Sequence, residues 1–136
     1  MNPKAYINLP VADLGRSRAF FEALGFAFDD RFSDDTALGM AINESCFAML
    51  LTHEKFAQFT TRPIADAAET TEVLTALQVG SREEVDRLAE IGLAEGGGSP
   101  RDPQDHGFMY GRALSDPDGH IWEIFWMDPA QMPGKE

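Results

Sequence analysis

Asp116-Pro-Asp-Gly-His-Ile-Trp-Glu-Ile-Phe-Trp126 predicts a tight turn that leads directly into a β-strand. Asp-Pro and Asp-Gly pairs are typical of turns, because proline fixes φ and glycine tolerates a positive φ. Side chains of a strand alternate between two faces, so Glu123 shares its face with Ile121 and Phe125, opposite the two tryptophans. An unpaired buried carboxylate is costly. Glu123 therefore either faces water on an edge strand or faces a ligand cavity.

Composition predicts a globular protein. The chain has 136 residues, enough for one domain with a core, of which 43% are hydrophobic and 25% charged. It contains no apolar run of about 20 residues, the length that a membrane helix needs. Its N-terminus lacks the apolar core of a signal peptide, and its single cysteine, Cys46, cannot form an internal disulfide. These features predict a cytoplasmic protein without a membrane partner.

The formal net charge of −12 argues against binding to nucleic acid, whose phosphates would be repelled. It is compatible with a neutral or cationic ligand.

The first half of the chain predicts a strand, a helix and three more strands. The helix begins at the N-cap Asp13 and ends at Gly25, and Pro10 favours an edge position for the first strand. The predicted strands cover residues 5–11, 26–33, 36–43 and 46–52.

The second half repeats this order. A capping box formed by Ser81 and Glu84 begins its helix, and Gly92 marks the helix end. The glycine-rich residues 95–107 predict a flexible hairpin arm. The predicted strands cover residues 70–79 and 108–115, and a last strand follows the turn at Asp116–Gly119 and is ended by Asp128-Pro129. Residues 53–68 form a long connection with a helical turn at Phe56 and Phe59, interpreted as a lid, a linker between halves or part of a subunit contact.

An internal repeat relates the halves. At a shift of 68 residues, Val11 falls on Val79 and the N-cap Asp13 falls on the N-cap Ser81. Each half then has the order βαβββ, and neither covers its own sheet alone. We expect an α+β fold in which two βαβββ modules form a curved mixed sheet around a cleft. The single domain spans residues 1–136, with modules at about 4–52 and 69–128, the connection 53–68 and a frayed tail 129–136.

The chain resembles the vicinal oxygen chelate superfamily, which includes glyoxalase I, extradiol dioxygenases, fosfomycin resistance enzymes and bleomycin-binding proteins. The resemblance covers nearly the whole chain and is most specific at Asp116–Glu123 and at Leu9-Pro-Val-Ala-Asp-Leu14. Within the superfamily, residues 70–73, 103–112 and 126–129 are most similar to those of bacterial predicted lactoylglutathione lyases.

The resemblance implies one metal ligand on each of four strands, with His, Glu or Gln as the ligand types. The matching positions here are Tyr6, Leu50, Leu74 and Glu123. Leucine has no donor atom, so the expected cofactor is none; the alternative is a divalent metal such as Zn or Ni.

Strand alternation predicts an apolar cleft with a few polar groups, as small-molecule sites have. Leu50, Leu74 and Ala76 supply apolar surface. The predicted ligand-binding residues are Tyr6, Asn8, Thr52, Glu72, Gln78, Glu123 and Phe125, and Glu123 is also the candidate catalytic residue.

Three other residues have open roles. His106 is interpreted as a loop-ordering residue or a general base, His53 opens a loop, and Arg112 either clamps a carboxylate or pairs with a surface acid.

Three functions compete at this point. The first is a glyoxalase-type enzyme with a divalent metal. The second is a metal-free protein that binds a small compound, cationic or neutral. The third is a metal-independent enzyme that uses Glu123 or Glu72 as acid or base. In each case we expect a small-molecule partner and a homodimer.

Overall fold

The computed structural model describes residues 1–131 of the chain, which divides into two compact units, Met1–Asp66 and Ala67–Glu136. The first unit contains β1 (Ala5–Val11), α1 (Leu14–Ala23), β2 (Ala27–Asp29), β3 (Ala37–Ala41), β4 (Cys46–Thr52) and the short α2 (His53–Phe56). The second contains β5 (Leu74–Gln78), α3 (Arg82–Ala94), β6 (Gln104–Asp105), β7 (Met109–Ser115) and β8 (Ile121–Met127). Short 3-10 turns cover Asp30–Phe32, Ala57–Phe59 and Pro129–Gln131.

The two units have the same topology. The strand order is β1-β4-β3-β2 in the first sheet and β5-β8-β7-β6 in the second. In each, the first strand lies at the edge and pairs in parallel with the last strand, whereas the other pairs are antiparallel. The predicted βαβββ repeat is confirmed. Pro10 lies on an edge strand as predicted, and β8 is an inner strand.

In the first unit, both ends of α1 follow the prediction. The Asp13 side chain accepts a hydrogen bond from the amide of Arg16 at 3.1 Å, and Gly25 follows the helix with a φ of 102°. Phe20 and Phe21 on the inner side of α1 are fully buried. The helix therefore packs its apolar stripe on one face of the first sheet.

The second strand is shorter than predicted. It ends at Asp29, because the Asp29 side chain accepts from the Arg31 amide at 2.9 Å and also pairs with its guanidinium. Ser33 Oγ donates to the Asp29 carbonyl at 2.8 Å, which completes a compact turn. Local side-chain bonds to the backbone thus replace the strand that was predicted through residue 33.

The fifth strand is also shorter than predicted, since it begins at Leu74 instead of Thr70. Leu74 pairs with Ile121, the first residue of β8, so earlier residues have no partner on that strand. Gly119 lies two residues before β8 and has a φ of 94°. A side chain at this position would lie 2.7 Å from the backbone nitrogen of Ala68, in the segment that leads to β5.

The helix α3 begins as predicted and ends later. Ser81 Oγ accepts from the Glu84 amide at 3.1 Å, whereas the Glu84 carboxylate accepts from Arg87. Gly92 does not end the helix; it is buried within α3 against Leu114, and Gly96, with a φ of 98°, follows the helix end. The glycine was needed for a close approach between helix and strand, not for a positive φ.

The predicted frayed tail begins with the 3-10 turn at Pro129–Gln131, and its remainder, residues 132–136, lies outside the described residues. None of the helices found in residues 1–131 has the length and apolar character required to cross a membrane.

Candidate functional site

The last strand separates its side chains as predicted. Trp122 and Ile124 are each 3% exposed and lie on the side of α3, where Leu114 is the register partner of Trp122. Trp126 is on the same side and contacts the guanidinium of Arg82 at 5.2 Å. Glu123 lies on the opposite face, with a side chain that is 23% exposed. This alternation places the carboxylate away from the core of the second unit.

We define the open face of the second sheet as the side opposite α3. In the register of β5 and β8, Ala76 pairs with Glu123 and Gln78 pairs with Phe125, so these side chains share that face. Leu74, beside them, is 53% exposed. The predicted neighbours Gln78, Glu123 and Phe125 therefore lie together. Glu72 does not join them, because it precedes the strand on which the prediction had placed it.

Glu123 is paired with Arg101, a residue that sequence reasoning missed. Arg101 Nη1 donates to Glu123 Oε2, and the arginine side chain is 33% exposed. Its Nε is buried and has no acceptor among the described residues. Arg101 is the only Lys or Arg between Arg87 and Arg112, and its neighbours in the sequence give no signal of its acidic partner.

The loop that carries Arg101 is held at both ends on β7. Gly98 and Ser115 exchange backbone hydrogen bonds at 3.0 and 2.9 Å, and Gln104 pairs with Gly111. Ala113, the partner of Glu123 in the sheet, is small and buried. The predicted flexible arm is therefore attached to the sheet, which directs residue 101 toward Glu123.

The first sheet has its own open face, opposite α1. Tyr6 and Asn8 lie there as predicted, and both are exposed. The ring of Tyr6 stacks on Phe47, its register partner, with a centroid distance of 5.0 Å and an interplanar angle of 13°. Met49 is the partner of Asn8. Asp29, which is in register with Gly39, shares this face and pairs with Arg31, so the face combines aromatic and apolar side chains with one amide and one carboxylate.

Thr52 and Leu50 were predicted on that face, and this prediction is wrong. Leu50 pairs with Leu9 and Thr52 pairs with Val11, so both lie on the α1 side of the sheet. Thr52 Oγ1 accepts from the Lys55 amide at 3.1 Å and so caps α2. Side chains that pair across parallel strands share a face, and the register could not be read from either strand alone.

The positions that match the superfamily's metal ligands do not form a metal site. Leu50 faces the core, Leu74 has no donor atom, and Glu123 is engaged by Arg101. The side chains of β4 that share the face of Tyr6 belong to Phe47, Met49 and Leu51, none of which offers the oxygen or imidazole nitrogen that these metals prefer. Within residues 1–131 there is no group of three or more His, Cys, Asp or Glu side chains that could hold a metal ion.

Asp116 is a structural residue of the turn before β8. One of its carboxylate oxygens accepts from the amides of Asp118 and His120, both at 3.0 Å, and the other accepts from Trp122 Nε1 at 3.1 Å. The residue is only 4% exposed. Burial raises the pKa of the Asp116 carboxyl, although His120 and the Trp122 N–H oppose this shift.

Of the three other polar candidates, Arg112 has structural side-chain partners. Arg112 donates to Asp86 at 3.1 Å and to Glu90 at 2.7 Å on α3, so it pairs with helix acids on the side opposite the open face. The amide of His106 donates to the Met109 carbonyl at 2.8 Å, a backbone bond that leaves both roles of its imidazole as predictions. His53 is the first residue of α2.

Residues 5–124 match the glyoxalase/bleomycin resistance protein/dioxygenase superfamily, and the chain belongs to this family. A search of curated proteins found no match.

Several solved structures have the same fold. A hypothetical protein from S. aureus is 30% identical, with a TM-score of 0.78, over 89% of this chain and 91% of that one. A glyoxalase-related enzyme from Fulvimarina pelagi is 24% identical, with a TM-score of 0.79, over 93% and 88%. A bleomycin resistance determinant encoded on the transposon Tn5 is 22% identical, with a TM-score of 0.62, over 92% and 98%.

Proposed function

We propose that this protein binds a small organic ligand without a metal ion, at the open face of its second sheet. The observation that carries the proposal is the guanidinium of Arg101 on Glu123, the one competent donor among the four positions that match the superfamily's metal ligands. A single carboxylate that pairs with a guanidinium cannot hold a metal ion by itself, because Leu50 and Leu74 at the matching positions supply no donor atom.

The surroundings of Glu123 suit a partly apolar ligand. Leu74, Ala76 and Phe125 provide apolar surface beside the carboxylate, and Gln78 adds an amide. Small-molecule sites combine such apolar surface with a few convergent polar groups. On the first sheet, Tyr6 and Asn8 are the proposed ligand-binding residues, with the ring of Phe47 beside them. The proposal extends to one domain over residues 1–136, with modules at about 4–52 and 69–128.

The first test is the ligand and metal content of protein purified without chelator. We expect native mass spectrometry to show a copurifying organic molecule, and elemental analysis to show far less than one transition metal per chain. The Glu123→Gln variant should lose the molecule. The matched control is Glu83→Gln, which removes a carboxylate from an exposed position on α3.

The lactoylglutathione lyase alternative is tested in the same preparation with the methylglyoxal–glutathione adduct and added Ni or Zn. Near one metal per chain, or turnover that Glu123→Gln abolishes, would overturn the metal-free proposal. It would assign the carboxylate the proton-transfer and metal-ligand roles of a metalloenzyme.

We further propose that the protein works in the cytoplasm as a homodimer. Its single half-buried cysteine, Cys46, suits a reducing compartment, and the exposed aromatic rings of Phe32 and Phe59 offer surface for a subunit contact. Light scattering across micromolar concentrations tests the dimer, and a monomeric mass at every concentration would contradict it.

A further inference from the structure

The pairing between Arg101 and Glu123 is less complete than that of another arginine in the same unit. Arg82 donates two bonds to Asp105, both at 2.9 Å, and a third to the Gly107 carbonyl at 2.8 Å. Within residues 1–131, the hydrogen bond that Arg101 donates comes from Nη1 alone, and its buried Nε has no acceptor. A buried donor without an acceptor costs free energy that water would otherwise recover. The pairing of Arg101 with Glu123 therefore leaves one buried donor of the guanidinium without a hydrogen bond.

The net charge of the second unit favours a cation. Residues 67–136 contain 5 basic and 14 acidic residues, a net formal charge of −9, whereas residues 1–66 contain 6 and 9, a net of −3. A field of this sign attracts cations to the second unit and repels anions. Arg101 itself neutralises Glu123, so an additional anion would gain little there.

We infer that Glu123 binds a cationic group of the ligand, an ammonium, amidinium or guanidinium, and that Arg101 holds this position until the ligand displaces it. The inference rests on the proposed function and specifies its ligand class. The ligand's apolar part would lie on Leu74, Ala76 and Phe125, which share the face of Glu123.

The exchange needs no rearrangement of the sheet. The loop of Arg101 is attached to β7 at Gly98 and at Gln104, so rotation of the side chain releases the guanidinium while the backbone stays in place. The released head group enters water, where Nε regains a hydrogen bond. One cation replaces another on Glu123, so the carboxylate is never left buried and unpaired, which is the costly state.

An internal competitor lowers the apparent affinity by the fraction of molecules in which Glu123 is accessible. Removing the competitor should therefore strengthen binding, a direction opposite to that expected for a residue that contacts the ligand. The probes are benzamidine, which is cationic, and benzamide, its neutral near-isostere. The variants are Arg101→Gln and, as a matched control, Arg87→Gln, which breaks the exposed pair with Glu84.

Calorimetric titration of the full chain should show benzamidine binding on the order of tenfold tighter in Arg101→Gln than in the wild type. Benzamide binding should stay unchanged, and Arg87→Gln should behave like the wild type. Adding Glu123→Gln to Arg101→Gln should remove the preference for the cation. Thermal melts of each variant check that it is folded.

Unchanged or weaker benzamidine binding in Arg101→Gln, relative to the wild type, would overturn the inference. Equal affinities of benzamide and benzamidine for Arg101→Gln would also overturn it. Failure of both probes to bind any variant at millimolar concentration would also overturn it. The copurifying molecule tests the proposed function separately. If that molecule is neutral or anionic and is lost in Glu123→Gln, the proposed binding function is supported and the cationic ligand class is excluded.

Discussion

The turn between β3 and β4 and the turn between β7 and β8 connect equivalent strands of the two units, yet they are stabilised differently. In the first, the exposed Asn43 side chain accepts one hydrogen bond, from the Ser45 amide at 2.8 Å. In the second, the buried Asp116 accepts three, from two amides and from a tryptophan. The same topology is thus compatible with a solvated turn and with one integrated into the core.

The same contrast extends to the sheets. The open face of the first sheet carries the stacked rings of Tyr6 and Phe47, whereas that of the second carries the ion pair of Arg101 and Glu123. An aromatic pair gains from contact area, but a half-buried ion pair must compensate for lost hydration. Asp29, the carboxylate on the first open face, ends its strand and pairs with an arginine whose side chain is 83% exposed, whereas Glu123 lies in mid-strand beside apolar residues. The second unit is therefore the better candidate for specific ligand recognition.

The largest loss of stability should come from a substitution in the turn between β7 and β8. Asp116→Ala leaves the amides of Asp118 and His120 and the indole N–H of Trp122 without their acceptor. We expect a loss of about 3 kcal/mol in the free energy of unfolding, because unsatisfied buried donors cost about 1–3 kcal/mol each. Urea unfolding measures the change.

The matched variant in the other turn is Asn43→Ala, which removes one exposed bond and should cost about 0.5 kcal/mol. Equal losses in the two variants would show that the turns do not differ in the way the structure indicates.

Glycines in the two main helices should respond in opposite directions. A Cβ on Gly92 would lie 2.4 Å from Leu114 Cδ2 and 3.0 Å from its Cγ, and Leu114 is buried. A Cβ on Gly15 would meet only Asp13 Oδ1, at 3.5 Å. We expect Gly92→Ala to destabilise by about 1–3 kcal/mol, and Gly15→Ala to stabilise by about 0.5 kcal/mol. Thermal unfolding checks both signs, and stabilisation by Gly92→Ala would contradict the close helix–strand contact.

The aromatic pair on the first sheet should contribute about 1 kcal/mol. A double-mutant cycle with Tyr6→Leu and Phe47→Leu isolates the coupling between the rings, which the 5.0 Å stacking geometry predicts to be favourable. Tyr6→Leu should also weaken binding of any copurifying ligand that contacts the first sheet. Additive effects of the two changes on unfolding would mean that the rings do not stabilise each other.

The smallest expected effect concerns the pKa of one carboxyl group, that of Asp105. Two hydrogen bonds from Arg82, together with the Gly107 amide, lower the pKa of Asp105 from 3.8 to about 2. Because the folded-state pKa is depressed, the stabilising contribution is complete above about pH 4 and is lost as the pH falls through about 2. Carbon NMR of the carboxyl group measures the midpoint.

In Arg82→Gln the Asp105 midpoint should rise toward 3.8. The control is Asp34 in the first unit, whose pKa is lowered mainly by the backbone and hydroxyl of Thr36 and should not change. An Asp105 midpoint near 3.8 in the wild type would exclude the ion pair with Arg82.

Local sequence patterns predicted most of the fold. The N-caps Asp13 and Ser81 and the alternation around Glu123 were predicted from their own neighbours, and the structure confirms all three. Some predictions that depended on a distant strand were wrong, although the shared face of Gln78, Glu123 and Phe125 is confirmed. Thr52 was assigned to the wrong face because the register between β1 and β4 joins residues about 40 positions apart.

The sequence by itself determined the βαβββ repeat, the family and the face on which Glu123 lies, because caps, turns and alternation are properties of adjacent residues. Only the tertiary structure decided that Arg101 pairs with Glu123, that Gly92 is a contact point and that Thr52 faces the core. These facts arise from long-range pairing and close packing. A side chain at one position acquires its partner only when the strands and helix around it have assembled.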